Sequence, residues 1–334
     1  MTPGLVRLSP QGLYCPAGDF HIDPWSPVPR ALITHAHGDH ARAGSRQYFT
    51  ATAGVPLVAK RLGSQAPIEG MAYGERRRFA GVEVSFHPAG HILGSSQVRI
   101  EADAGVWVVS GDFKRQSDPT CAPFEVLACD TFISEATFAL PIYRWRPPSE
   151  VAREIFQWWQ VNRAAGLASV LFCYALGKAQ RVLTELAAFT RETVYVHGAV
   201  DALLPMYRDA GVQMLPTEAV SEAGRDARRE RWREALILAP PSAAGSAWMR
   251  RFTPCATGFC SGWMRVRGQR RRRGYDRGFV LSDHADWPSL LATFQDTGAT
   301  RVLLTHGQSD AMVRYLRERG ADADALRTEF GGEE

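Results

Sequence analysis

The chain has no pair of cysteines at CxxC spacing; its six cysteines, Cys15, Cys121, Cys129, Cys173, Cys255 and Cys260, are scattered through 334 residues. A chain of that length buries a core large enough to stand without disulfide staples, so the thiols are read as reduced and mostly buried. Long apolar runs are also missing. None approaches the roughly 18 residues that span a bilayer, which excludes a membrane helix and predicts no membrane partner. The stretch Met1 to Arg7 meets charge and turn residues at once and lacks the basic-then-apolar order of a secretory signal, so the cytoplasm is the expected compartment. There is no repeat of fixed period. A large excess of one charge is also missing: 39 basic residues face 35 acidic ones, a net +4, with 45% apolar and 22% charged residues, ordinary for a globular protein. The basic residues are overwhelmingly arginine and cluster at Arg265, Arg267 and the block Arg270, Arg271, Arg272 and Arg273. Arginine forks suit phosphate oxygens, although a solvated basic loop explains the block equally well.

The first third reads as short strands joined by tight turns: Gly4 to Leu8, Gly12 to Cys15, Phe20 to Ile22, and Ala31 to Thr34 running into a histidine cluster. A helical turn is expected at Ala41 to Arg46. Strands are expected at Pro56 to Val58, Val82 to His87, Gln97 to Ala102, Val106 to Ser110 and Asp130 to Ser134, the last delivering Glu135. Pro141 and Pro147-Pro148 then break the pattern and mark a boundary near residue 145. From Ser149 the periodicity becomes that of a parallel α/β unit. Helices are expected at Glu150 to Ala165, Gly177 to Thr190 and Asp201 to Ala210, alternating with strands at Ser169 to Cys173, Val194 to Val196 and Leu236 to Leu238. Thr217 to Arg233 is helix-prone, and Gly245 to Gly274 lacks clear periodicity. Strand and helix signals return at Gly278 to Leu281, Trp287 to Thr297, Arg301 to Thr305 and Ser309 to Arg319. The predicted organisation is a main domain at 1–145, an insertion at 146–277, and a return to the main domain at 278–334.

In His35-Ala36-His37-Gly38-Asp39-His40, four potential metal ligands fall within six residues, on a loop because Gly38 and the preceding strand oppose a helix. Two histidines two apart can reach one ion while Asp39 and His40 point to a neighbouring one. Two metal shells need more donors, and His91, Asp112 and His306 each lie just past a predicted strand. Any of these alone is more simply a structural side chain; their shared placement at strand ends makes them ligands.

The HxHxDH run with His91, Asp112 and His306 in that order resembles the metallo-β-lactamase fold superfamily. That resemblance implies an αββα sandwich with two metal ions at one edge of its sheets. By it, His35, His37 and His91 bind the first ion, Asp39, His40 and His306 the second, and Asp112 bridges them. Asp23 matches a strand-end aspartate that supports the histidine loop through hydrogen bonds without binding metal. Glu135 in Ser134-Glu135-Ala136-Thr137-Phe138 and His284 in Ser282-Asp283-His284-Ala285-Asp286 resemble the extra motifs of the β-CASP branch, whose α/β cap is inserted between them and whose members act on DNA or RNA. Leu176 to Gln180 resembles a recurrent segment of that cap. Where the Artemis-like subgroup has valine at its last motif, this chain has His306, as the RNA-processing subgroup does. In length and lean cap the chain is most similar to the bacterial ligase-associated DNA exonucleases, which implies DNA repair with a partner ligase and helicase.

Phosphodiester hydrolysis needs an activated water and neutralisation of the charge that develops on phosphorus; two divalent cations, zinc first and manganese second, supply both, Asp39 serving the reaction as well as the metal. His284 is the expected general acid for the leaving oxygen, oriented by Glu135. Lys178, Arg181 and Arg270 to Arg273 are expected phosphate contacts along a groove under the closed cap, while Trp248, Phe252, Trp263 and Tyr275 are read mostly as core. The expected activity is a DNA exonuclease of 5′ to 3′ polarity. A β-CASP ribonuclease is the nearest alternative, and a glyoxalase-like thioesterase a distant one that leaves Glu135, His284 and the cap without a task.

Overall fold

The computed structural model describes residues 4–222, 229–266, 274–307 and 309–326. They form two compact units, one of Met1–Arg144 with His284–Glu334, the other of Trp145–Asp283.

In the first unit, one sheet runs in sequence order through Arg7–Ser9, Gly12–Cys15, Phe20–Ile22, Ala31–Ile33, Tyr48–Ala51 and Ile68–Met71. The second has the order Asp322–Ala325, Arg301–Thr305, Thr131–Glu135, Gly105–Val109, Ser96–Ala102, Val82–Pro88, Arg77–Phe79. Its first four strands are parallel and the rest antiparallel. Alternation along each strand divides its side chains between two cores. Val109, Ile133 and Leu303 face the first sheet and pack with Phe20, Ile22, Leu32 and Phe49. Val108, Phe132, Val302 and Leu304 turn the other way, onto residues of the helices Trp287–Asp296 and Ser309–Glu318. A short helix, Val55–Leu62, buries Leu57 and Val58 and lies against the strands Tyr48–Ala51 and Ile68–Met71. The layers are helix, sheet, sheet, helix: an αββα sandwich.

In the second unit the order is Thr217–Ala219, Val194–Val196, Leu236–Ala239, Ala168–Phe172, Cys255–Cys260, Arg277–Phe279, and every pairing is parallel. Its apolar strands are buried on both faces, as an all-parallel sheet requires. Leu171, Leu236 and Leu238 meet the helices Pro148–Ala164 and Lys178–Leu186 on one side, and Val170, Phe172 and Ile237 meet Trp232 and Phe252 on the other. Trp248, Trp263 and Tyr275 pack partly buried against that second cluster. All six cysteines are free, four of them buried. No helix among the described residues is long and apolar enough to cross a membrane.

Several sequence expectations are corrected. Pro56 to Val58 is not a strand but the start of the helix Val55–Leu62, with proline in its first turn; a three-residue apolar run carries no period to tell the two apart. Ala41 to Arg46 is irregular chain. Thr217–Ala219 is a strand where a helix was expected, because its backbone pairs with Val194–Val196. The return to the first unit comes at His284 rather than 278, since Arg277–Phe279 adds to the second unit's sheet beside Cys255–Cys260.

One close approach locks the first unit's functional edge. Gly94, at φ +74°, lies against Gly54 at the head of the helix Val55–Leu62, and a Cβ on Gly94 would collide with the Gly54 backbone. Gly94→Ala is expected to cost about 2 kcal/mol or more from left-handed strain plus the clash. It should lower the melting temperature by roughly 4 °C or more; an unchanged melting curve would show that the two loops separate freely.

Candidate metal centre

The strand Ala31–Ile33 stops just before Thr34, and the chain turns at once into the histidine loop. Thr34 is the residue the sequence reading passed over. Its amide and hydroxyl donate to the two carboxylate oxygens of Asp23, at 2.8 and 2.6 Å, its Oγ1 sits 3.1 Å from His35 Nδ1, and its carbonyl accepts from the amide and hydroxyl of Ser96. The only signal for it was its position, directly before the first histidine. Asp23 Oδ2 also lies 2.8 Å from His40 Nδ1. Asp23 therefore holds both ends of the loop and turns its histidines' other nitrogens inward.

Those nitrogens converge. His35 Nε2 and His91 Nε2 each lie 3.1 Å from His37 Nδ1, and Asp112 Oδ2 is 3.5 Å from His35 Nε2 and 3.8 Å from His91 Nε2. A tetrahedral ion with bonds of about 2.0–2.1 Å sets its ligands roughly 3.3 Å apart, so this spacing suits a divalent cation. A second set, His40, Asp112 and His306, shares Asp112, whose Oδ2 is 3.5 Å from His40 Nε2; donor atoms within each set lie within 4.8 Å of one another. Asp39 stands at the rim, a third exposed, 3.7 Å from His40 Nε2 and outside that tighter group.

Beside these, Glu135 leaves the end of the strand Thr131–Glu135 fully buried. One of its oxygens accepts from the Phe113 amide at 2.7 Å and the other lies 2.7 Å from His284 Nδ1. The Phe113 carbonyl accepts from Ala285 N, so one residue's backbone fixes Asp112, Glu135 and His284 together. The His284 ring stands 4.6 Å from that of His91 and 5.8 Å from Phe138. Asp112, Glu135 and His284 make a third compact set.

Burial and neighbours divide the protonation states. Loss of water, with His40 close by, holds His35 neutral, well below its ordinary range. Burial lowers His306 to about 4. Burial opposes the charged form of His40 as well, but Asp112 and Asp23 outweigh it and raise its pKa well above normal. Burial would raise Asp112, yet His40 and His284 override it and keep the carboxylate ionised. Glu135 is raised, chiefly by burial. Neutral imidazole and ionised carboxylate are the ligand forms. His35, His306 and Asp112 already have them; His40 must lose a proton. Metal uptake is therefore expected to release a proton at neutral pH and to tighten as pH rises. Calorimetric titration of the stripped protein in buffers of different ionisation enthalpy measures this, and heats that do not change with the buffer would contradict it.

The expected phosphate contacts fare differently. Lys178 and Arg181 are buried: Lys178 Nζ lies 2.6 Å from Asp283 Oδ2, and Arg181 Nη1 donates to Ser282 O at 2.6 Å and lies 3.3 Å from Asp283 Oδ1. Their charges are spent on fixing the chain at 282–283, which corrects their reading as groove-lining contacts. Arg270, Arg271, Arg272 and Arg273 lie outside the described residues. Asp283→Asn should cost about 3 kcal/mol or more by leaving Lys178 buried without its anion, read as a lower denaturation midpoint; a midpoint unchanged in denaturant would mean the ion pair contributes nothing.

No protein-family model matches the chain. It is 30% identical over 326 residues to a protein named probable DNA ligase from Opitutus terrae, an alignment covering 97% of this chain and 31% of that protein. It is 27% identical over 221 residues to ribonuclease TTHA0252 of Thermus thermophilus, covering 57% and 48%. With cleavage and polyadenylation specificity factor 73 of Drosophila melanogaster the identity is 30% over 142 residues, covering 40% and 20%. The chain spans from a fifth to about half of the length of these relatives. Aligned with these relatives and built as an αββα sandwich that carries its histidines and carboxylates at strand ends, the chain belongs to the metallo-β-lactamase-fold, β-CASP family.

Proposed function

We propose that the protein hydrolyses phosphodiester bonds in DNA, as an exonuclease of 5′ to 3′ polarity, with His284 as general acid. The observation that carries the reading is the Glu135–His284 pair, 2.7 Å apart and buried beside the Asp112 cluster. A metal-dependent thioesterase has no use for a second carboxylate–imidazole pair at that place. Two divalent cations, zinc by preference and manganese as substitute, would be held by His35, His37, His91 and Asp112, and by Asp39, His40, His306 and Asp112. They supply Lewis-acid polarisation of a phosphoryl oxygen and water of lowered pKa.

The chain's own groups do the rest. Glu135, ionised, takes the Nδ1 proton of His284 in a hydrogen bond, which fixes the ring and leaves Nε2 to carry the mobile proton. Delivered to the leaving oxygen, that proton avoids expulsion of an alkoxide. The buried carboxylate also stabilises the imidazolium that must exist before transfer. Asp23 and Thr34 keep the histidine loop in place throughout.

DNA as substrate is favoured by the alignment of nearly the whole chain with a protein named for DNA ligation. The same alignment favours work beside a ligase in DNA repair; a helicase partner follows family resemblance, and a cytoplasmic location is part of the same proposal. RNA is the second reading, favoured by His306 at the last motif and by the relative named a ribonuclease. Purified protein given matched end-labelled DNA and RNA is expected to shorten DNA; trimming of RNA alone would reverse the order. His284→Ala should lower turnover on DNA by about 10²–10⁴ while sparing bis(p-nitrophenyl) phosphate, whose leaving group needs no proton. Equal losses on both would remove His284 from the acid role.

A further inference from the structure

Arg61 stands in the last turn of the helix Val55–Leu62, exposed. Its guanidinium lies flat on the histidine loop. A Cβ built on Gly38 would be 3.1 Å from Arg61 Cζ, 3.1 Å from Nη2 and 3.2 Å from Nη1, three nearly equal distances that place the whole plane over that residue. Arg61 Nε points to Ala36 O at 3.4 Å. Among the described residues no carboxylate pairs with Arg61, and its Nη1 and Nη2 edge meets no protein acceptor. Gly38 separates His37 from Asp39, so a fixed, uncompensated cation sits on the rim of the donor set. Glycine at position 38 permits this close an approach: a Cβ there would press on the fork and shift it by a few tenths of an ångström. The helix is itself held at its head by the Gly54–Gly94 contact, so the guanidinium is carried on a rigid element.

We propose that Arg61 binds a backbone phosphate of the nucleic-acid strand next to the one that is cut. The proposal rests on the nuclease reading above. A planar fork with two free donors matches two phosphate oxygens, and its anchoring through Nε removes the rotamer freedom that an unanchored arginine loses on binding. Phosphate neutralisation at this point positions the strand without reading its bases.

The test compares the full-length wild type with Arg61→Ala, Arg61→Lys and Gly38→Ala. Single-stranded oligonucleotide and bis(p-nitrophenyl) phosphate serve as substrates, and binding of a fluorescent oligonucleotide to metal-stripped protein is followed by anisotropy. Arg61→Ala is expected to weaken oligonucleotide binding and raise KM about tenfold, the range of a lost charge-assisted hydrogen bond. The slope of log affinity against log salt should flatten by about 0.7. Turnover of the single-phosphate ester and metal content should stay as in the wild type. Arg61→Lys should recover part of the affinity, and Gly38→Ala should reproduce part of the loss with the arginine present. Unchanged affinity and salt slope would overturn the proposal, as would equal losses on both substrates with lower metal content, the signature of a mere loop buttress. If the wild type binds but does not cut nucleic acid, the nuclease reading falls while anisotropy still decides the Arg61 contact; an oligonucleotide that does not bind overturns both.

Discussion

Asp112 keeps a negative charge where almost no water reaches, and much of the first unit is arranged around satisfying it. A buried carboxylate costs several kcal/mol unless positive or polarised groups surround it. Here three imidazoles, from His35, His40 and His91, stand 3.5–3.8 Å away. His35 and His40 reach it from the two ends of one loop and His91 from another turn, while Glu135 and His284 approach from others. Parallel strands make this possible: their ends fall along one edge, so residues far apart in sequence meet at one place. The atoms that surround Asp112 are the same ones that suit divalent cations.

Aiming so many side chains at one carboxylate strains the turns that carry them. Asp23 and His306 adopt left-handed backbone, at φ 43° and 57°, though neither is glycine. Such residues cost on the order of 1–3 kcal/mol and persist where the surroundings insist on them. Gly307 follows His306 with its own positive φ, pressed against the Ala136 carbonyl. Gly111 precedes Asp112 in the same conformation, 2.7 Å from Thr34 Oγ1 if it carried a Cβ. The two sheets are therefore tied at their functional edge by contacts that tolerate no extra atom.

Strand ends were legible in the sequence because ligand-type residues follow apolar runs: Ala31 to Thr34 before His35, Val106 to Ser110 before Asp112, Arg301 to Thr305 before His306. The helices of the second unit were legible from their 3.6-residue period. Short strands such as Tyr48–Ala51, inside its sheet, and Arg77–Phe79, at an edge, were not, since three or four residues show no alternation and their state is set by the neighbours they pair with. The charge of Lys178 and Arg181 suggested solvent and phosphate; Asp283, 102 residues beyond Arg181, took them inside. Arg61 was invisible for the opposite reason. Nothing in a helix's last turn announces that its end will rest on a glycine between two metal-ligand candidates.

The hydrogen bond between Glu135 and His284 spans 149 residues of chain, nearly all of them the second unit. Closing a loop of that length carries a large entropic cost, though one that grows only with the logarithm of its length. An unfolded insertion would sample far more conformations than a folded one, and a compact second unit shortens the effective tether between the two residues. Glu135 and His284 are therefore brought together at the least entropic cost once the inserted sheet has formed. The donor set of His35, His37, His91 and Asp112 lies wholly before that insertion, whereas the set of His40, Asp112 and His306 draws on chain from both sides of it, so one candidate cation site is complete in the sequence ahead of the inserted unit and the other only beyond it.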